Sequence, residues 1–409
     1  MLADRPFRRY WSASTISMFG DGISSLAVPL TAATVLHANS AQMGLLGALT
    51  WTPSLLFSLH AGVWADRVGH RRVTMIFCNV ASFLLLASIP VSYLTGTLTI
   101  WQLYAVVFAA GAAFVLFDVC DISLFASLLK AERYIEGQSL MFSSQSMSTL
   151  AGPSLGGLLV QALSAPFAIA ADAVSFLWSA IFLSSIHPEE PPPASREGRS
   201  ESLTAGLRYI RHTSVIRTAL SVATTVNLFN LMFRSVLVLY LSRDLHVSPG
   251  IIGLVLAAEA GGGLVASMFT KRLTRVLGVG RAMMVGCVVV SLPLLFVPLA
   301  GGPELLLRGM LIIGLFGSGF GRVVQNVGIG TVFAVAVPPD MRSRVRGAFQ
   351  AISFGARPIG SLIGGGLAAL AGLKLTLLTG AIGGTLAFAW IVPSALLTFR
   401  MPEAGTPAD

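Results

Sequence analysis

The 409-residue chain is short of charge and of the residues that most catalytic and metal sites use. Asp, Glu, Lys and Arg make up 11% of it, against roughly 25% in soluble globular domains. It has three cysteines and six histidines, scattered without the spacing of a metal site or a disulfide framework. No nucleophile lies beside a base in a recognisable motif. We therefore expect neither a soluble domain nor an enzyme, and no metal or cofactor.

Long apolar runs account for most of the sequence, 54% of which is hydrophobic. A helix needs about 17–25 mostly apolar residues to cross a lipid bilayer. Twelve such segments are predicted, near residues 11–35, 43–64, 74–95, 99–121, 137–160, 166–186, 217–241, 250–270, 281–299, 306–329, 349–371 and 376–398. The rest of the chain suffices for short loops and one linker.

The net charge of +9 is distributed asymmetrically. Most lysines and arginines fall in alternate connecting segments, such as those that contain Arg5, Arg71 and Arg342. This positive-inside pattern predicts a multi-pass membrane protein with both termini in the cytoplasm. Because the basic residues are dispersed over many segments, nucleic-acid binding is not expected.

One long polar, proline-rich segment, His187–Ser202, interrupts the apolar runs and is typical of a flexible linker. It predicts three parts: an N-terminal six-helix bundle at 1–186, a cytoplasmic linker with an amphipathic surface helix at 187–215, and a C-terminal six-helix bundle at 216–409.

Short stretches of the two halves look like repeats. Gln145–Pro153 and Gln350–Pro358 share Gln, Ser, Ala and Pro at the same positions. Together with six predicted spans on each side of the linker, this favours a duplicated transporter with parallel halves. Coincidence among helices rich in glycine and alanine is the alternative.

The segment between the second and third spans, GVWADRVGHRR, carries the most specific motif. A glycine permits a tight turn, Asp66 can cap a helix, and the arginines can bridge to carboxylates. The motif residues are Gly62, Asp66, Arg67, Gly69, Arg71 and Arg72. At every specified position they match G-x3-D-R-x-G-x-R-R, the loop 2–3 signature of the major facilitator superfamily. The chain therefore resembles that superfamily.

The fifth span adds GPSLGG, which is similar to the core of the superfamily's antiporter motif. Its packing residues are Gly152, Pro153, Gly156 and Gly157. Ser139 and Ser148 stand where that longer motif has upstream glycines, which weakens the inference of antiport. Near the N-terminus, the stretch FRRYWSASTISMFGDG resembles sequences of one bacterial branch of the superfamily. That branch includes the enterobactin exporter and macrolide efflux proteins.

This resemblance implies an all-α membrane protein with twelve transmembrane helices in two pseudo-symmetric six-helix bundles around a central cavity. It implies a monomer in the bacterial inner (plasma) membrane. It also implies that the loop 2–3 motif latches the cytoplasmic side in the outward-open state. Asp118 or Asp121 is expected to pair there with Arg71 or Arg72, and capping of the helix end is the alternative.

Polar side chains recur inside the predicted spans. In the first span Ser14, Ser17, Asp21, Ser24 or Ser25, and Thr31 follow one helical stripe, with Asp21 near the middle of the bilayer. The other candidates for a substrate cavity or a proton-coupling site are Glu259, Arg234, Asn227, Asn230, Arg322, Gln325, Arg357 and Gln145. Hydrogen bonding between helices, without ligand contact, is the alternative.

We expect a secondary active transporter that exports a small organic molecule, such as a drug, siderophore or secondary metabolite, by proton antiport with alternating access. A carboxyl group inside the membrane marks a proton or substrate pathway, so Asp21 or Glu259 is expected to bind the proton. Asp21 could instead be a fixed counter-charge for one of the mid-span arginines. An importer of the same fold and a non-transporting membrane receptor are the alternative functions.

Overall fold

The computed structural model describes residues 4–68, 70–129, 133–186, 200–339 and 341–398, and within them the secondary structure is helical, without strands. The helices are α1 (Arg5–Leu30), α2 (Ser40–Val68), α3 (Arg71–Leu94), α4 (Ile100–Leu128), α5 (Tyr134–Leu163), α6 (Ala165–Ser184), α7 (Ser200–His212), α8 (Ser214–Leu239), α9 (Pro249–Leu277), α10 (Val279–Ser291), α11 (Phe296–Leu299), α12 (Glu304–Ala336), α13 (Arg342–Ala371) and α14 (Leu373–Thr385). Short 3-10 turns lie at Leu292–Leu295, Leu386–Trp390 and Ala395–Thr398.

Nine helical segments in the described part of the chain are long and apolar enough to cross a bilayer. They contain α1, α3, α4, α6, α8, α9, α10, α12 and α14. The predicted second, fifth and eleventh spans are also helices, α2, α5 and α13, each of about 30 residues, or about 45 Å at 1.5 Å per residue. The chain is thus a helical, multi-pass membrane protein, and the number of twelve spans stays a prediction.

The chain forms two compact units. Unit 1 comprises residues 1–196 and 237–257, and unit 2 comprises 197–236 and 258–409. The boundaries cut through α8 and α9, because the segment from 237 to 257 belongs with unit 1. The predicted division into 1–186, 187–215 and 216–409 stays a prediction.

Unit 1 depends on close packing between α1 and α5. A Cβ on Gly22 would lie 2.8 Å from the Cα of Gly152, and one on Gly156 would lie 2.9 Å from the carbonyl oxygen of Ile23. Small residues of this kind let two membrane helices touch through their backbones. The next residue, Gly157, meets the backbone of Gly250 at the start of α9. Helix α1 also packs along α6.

In unit 2, glycines likewise allow close backbone contact between other pairs of helices. A Cβ on Gly319 of α12 would collide with the carbonyl group of Glu259 on α9, and one on Gly360 of α13 would collide with Leu228 on α8. The amphipathic helix α7 packs against α13. The hydroxyl group of Tyr209 on α7 donates to the carbonyl of Ala336, at 2.5 Å.

The chain ends α1 and α8 in the same way. Both helices have 26 residues and continue into five-residue π-helices, Thr31–Val35 and Tyr240–Asp244. A Leu-His pair follows each, and His37 and His246 have φ values of 49° and 52°. A left-handed histidine at matching positions is uncommon enough to support the predicted repeat.

The start of the loop 2–3 motif differs from its expected form. Helix α2 continues to Val68, so Gly62, Asp66 and Arg67 belong to its last turns, and Asp66 does not cap the start of a helix. His70 is the residue that precedes α3. The side chains of those three residues, and all of Gly69, lie outside the described part of the chain.

A second matched junction, at Ser164 and Gly372, yields a stability prediction. Ser164 joins α5 to α6 with φ 101° and ψ 162°, and Gly372 joins α13 to α14 with φ 89° and ψ 163°. This backbone region is essentially reserved for glycine, and a side chain there costs about 1–3 kcal/mol. The Ser164 hydroxyl is also buried without a hydrogen-bond partner among the described residues.

We expect Ser164→Gly to raise the thermal unfolding midpoint in detergent and Gly372→Ser to lower it. Shifts of the same sign in the two variants would contradict the matched geometry.

Candidate functional site

Three helices of unit 2 meet at Glu259. Close approach at Gly319 brings α12 against α9 beside this residue, and Arg322, three residues further along α12, lies on the same helix face. Its guanidinium is 3.0 Å from Glu259 Oε1. Arg234 of α8 donates to the same oxygen. One carboxylate therefore pairs with two arginines.

Asn230 completes this cluster from one turn earlier on α8. Its Oδ1 accepts from Arg234 Nε at 2.7 Å and from Arg322 at 3.2 Å. The amide is 3% exposed, so it holds the two cations beside each other within the protein. Sequence spacing alone predicted that Asn230 and Arg234 share a helix face, and the structure adds the partners from α9 and α12.

Arg357 on α13 is the third cation near this cluster and interacts electrostatically with Arg234 and Arg322. Its Nε donates to Asn227 Oδ1 at 3.3 Å, and its guanidinium lies 3.9 Å from the ring centroid of Phe354. Of the predicted residues, Asn230, Arg234 and Arg322 thus come together at Glu259, and Asn227 and Arg357 form a hydrogen-bonded pair near them.

Two other predicted lining residues lie elsewhere. Gln325 is 3% exposed and lies against Cys287 of α10. Gln145 is exposed on α5, and its Nε2 is 3.4 Å from the hydroxyl of Thr149 on the same helix. Among the residues that the structure describes, Gln325 forms no hydrogen bond with the arginines of the cluster, and Gln145 belongs to unit 1.

In unit 1, the residue before Asp21 contacts a second carboxyl group, Asp172, which was not among the predicted site residues. Asp172 of α6 is 1% exposed and presses against Gly20, the residue before Asp21. The hydroxyl of Ser24 donates to Asp172 Oδ2, and Ser175 donates to Oδ1 at 3.2 Å. Asp21 itself is exposed, and the two carboxyl groups interact electrostatically.

No lysine, arginine or histidine in the described part of the chain forms an ion pair with Asp172. Its two hydrogen-bond donors are neutral hydroxyl groups. The pair with Asp21 therefore brings two acidic groups together without a cation, the reverse of the arrangement at Glu259. A lone Asp within the apolar sixth span of an otherwise charge-poor chain was the available signal for Asp172.

The predicted polar stripe of α1 divides between two environments. Ser14, Ser17 and Thr31 are buried, whereas Asp21 and Ser25 are exposed. Helix α1 packs on both α5 and α6, and these neighbours cover part of the stripe. A role of its exposed part in lining a substrate cavity stays a prediction.

Two of the predicted latch residues, Asp121 and Arg72, contact other residues of unit 1. Asp121 accepts a hydrogen bond from the buried hydroxyl of Tyr10, at 2.7 Å. Arg72 donates to the carbonyl of Ile186. Pairing of Asp118 or Asp121 with Arg71 or Arg72 in an outward-open state stays a prediction.

Comparison with known proteins assigns the family. The family model for the transmembrane secretion effector matches residues 1–406, and the chain belongs to that family within the major facilitator superfamily of transporters. It is a membrane transporter by family, not an enzyme.

Individual relatives agree with this assignment. The multidrug efflux pump Tap of Mycobacterium tuberculosis is 28% identical over 405 residues, covering 95% of this chain and 92% of the pump. The enterobactin exporter EntS of Citrobacter koseri is 25% identical over 378 residues, covering 89% of this chain and 85% of EntS. The crystal structure of a bacterial homologue of the human lysosomal transporter Spinster, inward-facing and occupied, has a TM-score of 0.75 at 14% identity, with coverage of 98% and 100%. The last similarity concerns the fold.

The shared carboxylate yields a test of coupling between α9 and α12. Because Glu259 is 14% exposed and Arg322 33%, we expect Glu259→Gln and Arg322→Gln to have strongly non-additive effects on the thermal unfolding midpoint. Contacting ion pairs typically show coupling of about 0.5–3 kcal/mol.

The matched control is the exposed pair Arg308 and Glu304, one turn apart on α12. Its double-mutant cycle is expected to be additive to within about 0.5 kcal/mol. Equal coupling in the two cycles would show that the central pair contributes no more than a surface pair.

Proposed function

We propose that this chain exports small organic molecules from a bacterial cell by proton antiport with alternating access, as a monomer in the inner membrane with both termini in the cytoplasm. The family assignment and the printed functions of Tap and EntS, a multidrug efflux pump and a siderophore exporter, support export. The observation that supports proton coupling is the pair of carboxyl groups Asp21 and Asp172, with which no cation of the described residues forms an ion pair.

The pair favours proton binding for an electrostatic reason. An ionised carboxylate that is buried without a cation is very costly, and two adjacent carboxylates resist carrying two negative charges together. One proton on the pair removes that repulsion. Asp21 is the exposed member of the pair and Asp172 is the buried one, so we assign the exchange of the proton with water to Asp21.

Glu259 is the weaker candidate for the proton. Two guanidinium groups already balance its charge, so proton uptake would leave the arginines without their anion. We assign the proton to the Asp21–Asp172 pair and a structural or substrate-binding role to the Glu259 cluster. Asp21 then acts as a titrating group and not as a fixed counter-charge.

The first test is transport by Asp21→Asn in proteoliposomes. A compound screen of cells with and without the gene, scored by efflux and resistance, supplies the substrate. We expect Asp21→Asn to fold normally but to lose substrate movement driven by a pH gradient, because the amide cannot release a proton. Asp244→Asn, at the exposed end of the second π-helix, is the matched control and should retain the wild-type rate. A wild-type rate in Asp21→Asn would refute the proposal.

The second test concerns Asp172. Asp172→Asn can keep both hydroxyl contacts, because the amide oxygen accepts from one serine and the amide NH2 group donates to the other, whose hydroxyl then acts as the acceptor; we therefore expect normal folding. With its neighbour neutral, Asp21 loses the repulsion, and the pH at which transport is half-maximal should fall. The measurement is the initial transport rate across a series of pH values. An unchanged profile would show that Asp172 has no part in coupling.

The same assays discriminate the alternative functions. Accumulation of the screened compound inside intact cells would indicate an importer. Binding of a compound without gradient-driven movement would indicate a receptor.

A further inference from the structure

We propose that the arginine cluster of unit 2 binds an anionic group of the transported molecule, and that Glu259 occupies the site as an internal competitor when no such molecule is bound. This inference names the substrate class of the exporter and rests on the proposed function. It predicts substrates that carry a carboxylate, or another negatively charged oxygen group, on a small organic body.

The first argument is the surplus of positive charge. Arg234 and Arg322 share a single carboxylate oxygen, Glu259 Oε1. Their side chains are 32% and 33% exposed, against 14% for Glu259. The accessible part of the cluster is therefore cationic, and a second anion can approach the guanidinium groups without displacing α9.

The second argument is an unused hydrogen-bond donor. Asn230 Oδ1 already accepts from both arginines, so the orientation of the amide is set by this network. Its Nδ2 is buried and has no hydrogen-bond partner among the residues that the structure describes. An unpaired buried donor is costly, and the group that satisfies it must be an acceptor. The excess positive charge of the two arginines and the unpaired Nδ2 donor of Asn230 thus both favour an anionic ligand with hydrogen-bond acceptor atoms.

The third argument comes from α13. Arg357 extends the cationic surface, with its guanidinium over the Phe354 ring. That ring is 40% exposed, which places apolar surface directly beside positive charge. A ligand that joins an anionic group to an apolar or aromatic body matches both surfaces, and arginine forks favour the planar, bidentate geometry of a carboxylate.

A charge series of nearly identical shape tests this proposal. Benzoate, benzamide and benzamidine are negative, neutral and positive at neutral pH. Their binding to the purified transporter in lipid nanodiscs is measured by saturation-transfer difference NMR and by shifts of the thermal unfolding midpoint. We expect benzoate to bind and to stabilise the wild-type protein, and benzamide and benzamidine to do neither. Equal signals from all three compounds would overturn the proposal.

Variants then locate the site. Arg322→Gln and Arg357→Gln should abolish the benzoate signal, while Arg308→Gln, in the exposed pair of α12, should leave it unchanged. Glu259→Gln should tighten benzoate binding by about fivefold or more, because the competing anion is removed. Weaker binding in a folded Glu259→Gln protein would refute the competitor role, and retained binding in both Arg322→Gln and Arg357→Gln would refute the site.

These measurements use no ion gradient and depend on neither Asp21 nor Asp172. Loss of anion binding would therefore leave proton-driven export standing. Conversely, failure of Asp21→Asn to affect transport would leave the anion site intact.

Discussion

A charge inside a membrane helix has to be balanced by a partner, by a proton or by water, and this constraint organises both units. In unit 2 the solution is an ion-pair cluster in which the single carboxylate of Glu259 pairs with both Arg234 and Arg322. That contact requires α9 and α12 to touch, which in turn requires glycine at 319, where any side chain would strike the Glu259 carbonyl. The close packing of small residues and the electrostatics of the cluster are therefore one structural requirement.

In the described part of unit 1, the same constraint is met at Asp172 without an ion pair to a cation. Asp172 is surrounded by hydroxyl groups and by the backbone of Gly20. The two units therefore differ in the sign of their excess charge, negative around Asp21 and positive around Arg234. We propose that this difference separates two tasks, with proton binding in unit 1 and recognition of the transported molecule in unit 2.

The helical fold followed from the sequence because long apolar runs and the placement of arginines leave few alternatives. The glycines and the mid-span charges were also visible as patterns on single helices. What the sequence could not supply was the pairing between helices. Arg322 and Glu259 are 63 positions apart, and no pattern in either segment indicates that the two residues form an ion pair.

The stripe on α1 shows the same limit, since periodicity gives a face but not the neighbour that covers it. Asp172 was missed because an isolated acidic residue in an apolar span carries no motif. Its importance becomes apparent only when α6 is placed against Gly20.

The matched endings of α1 and α8, each with a π-helix and a left-handed histidine, bear on how such a division of charge can arise. A symmetric dimer of one short chain would present every charged residue twice, so an acidic site and a basic site could not be segregated. Fusion of two copies into one chain removes that restriction while the backbone geometry of each copy is retained. If one unit was duplicated and its copies then specialised, the helix endings are expected to stay alike while the charged residues diverge. Both features are present in this chain.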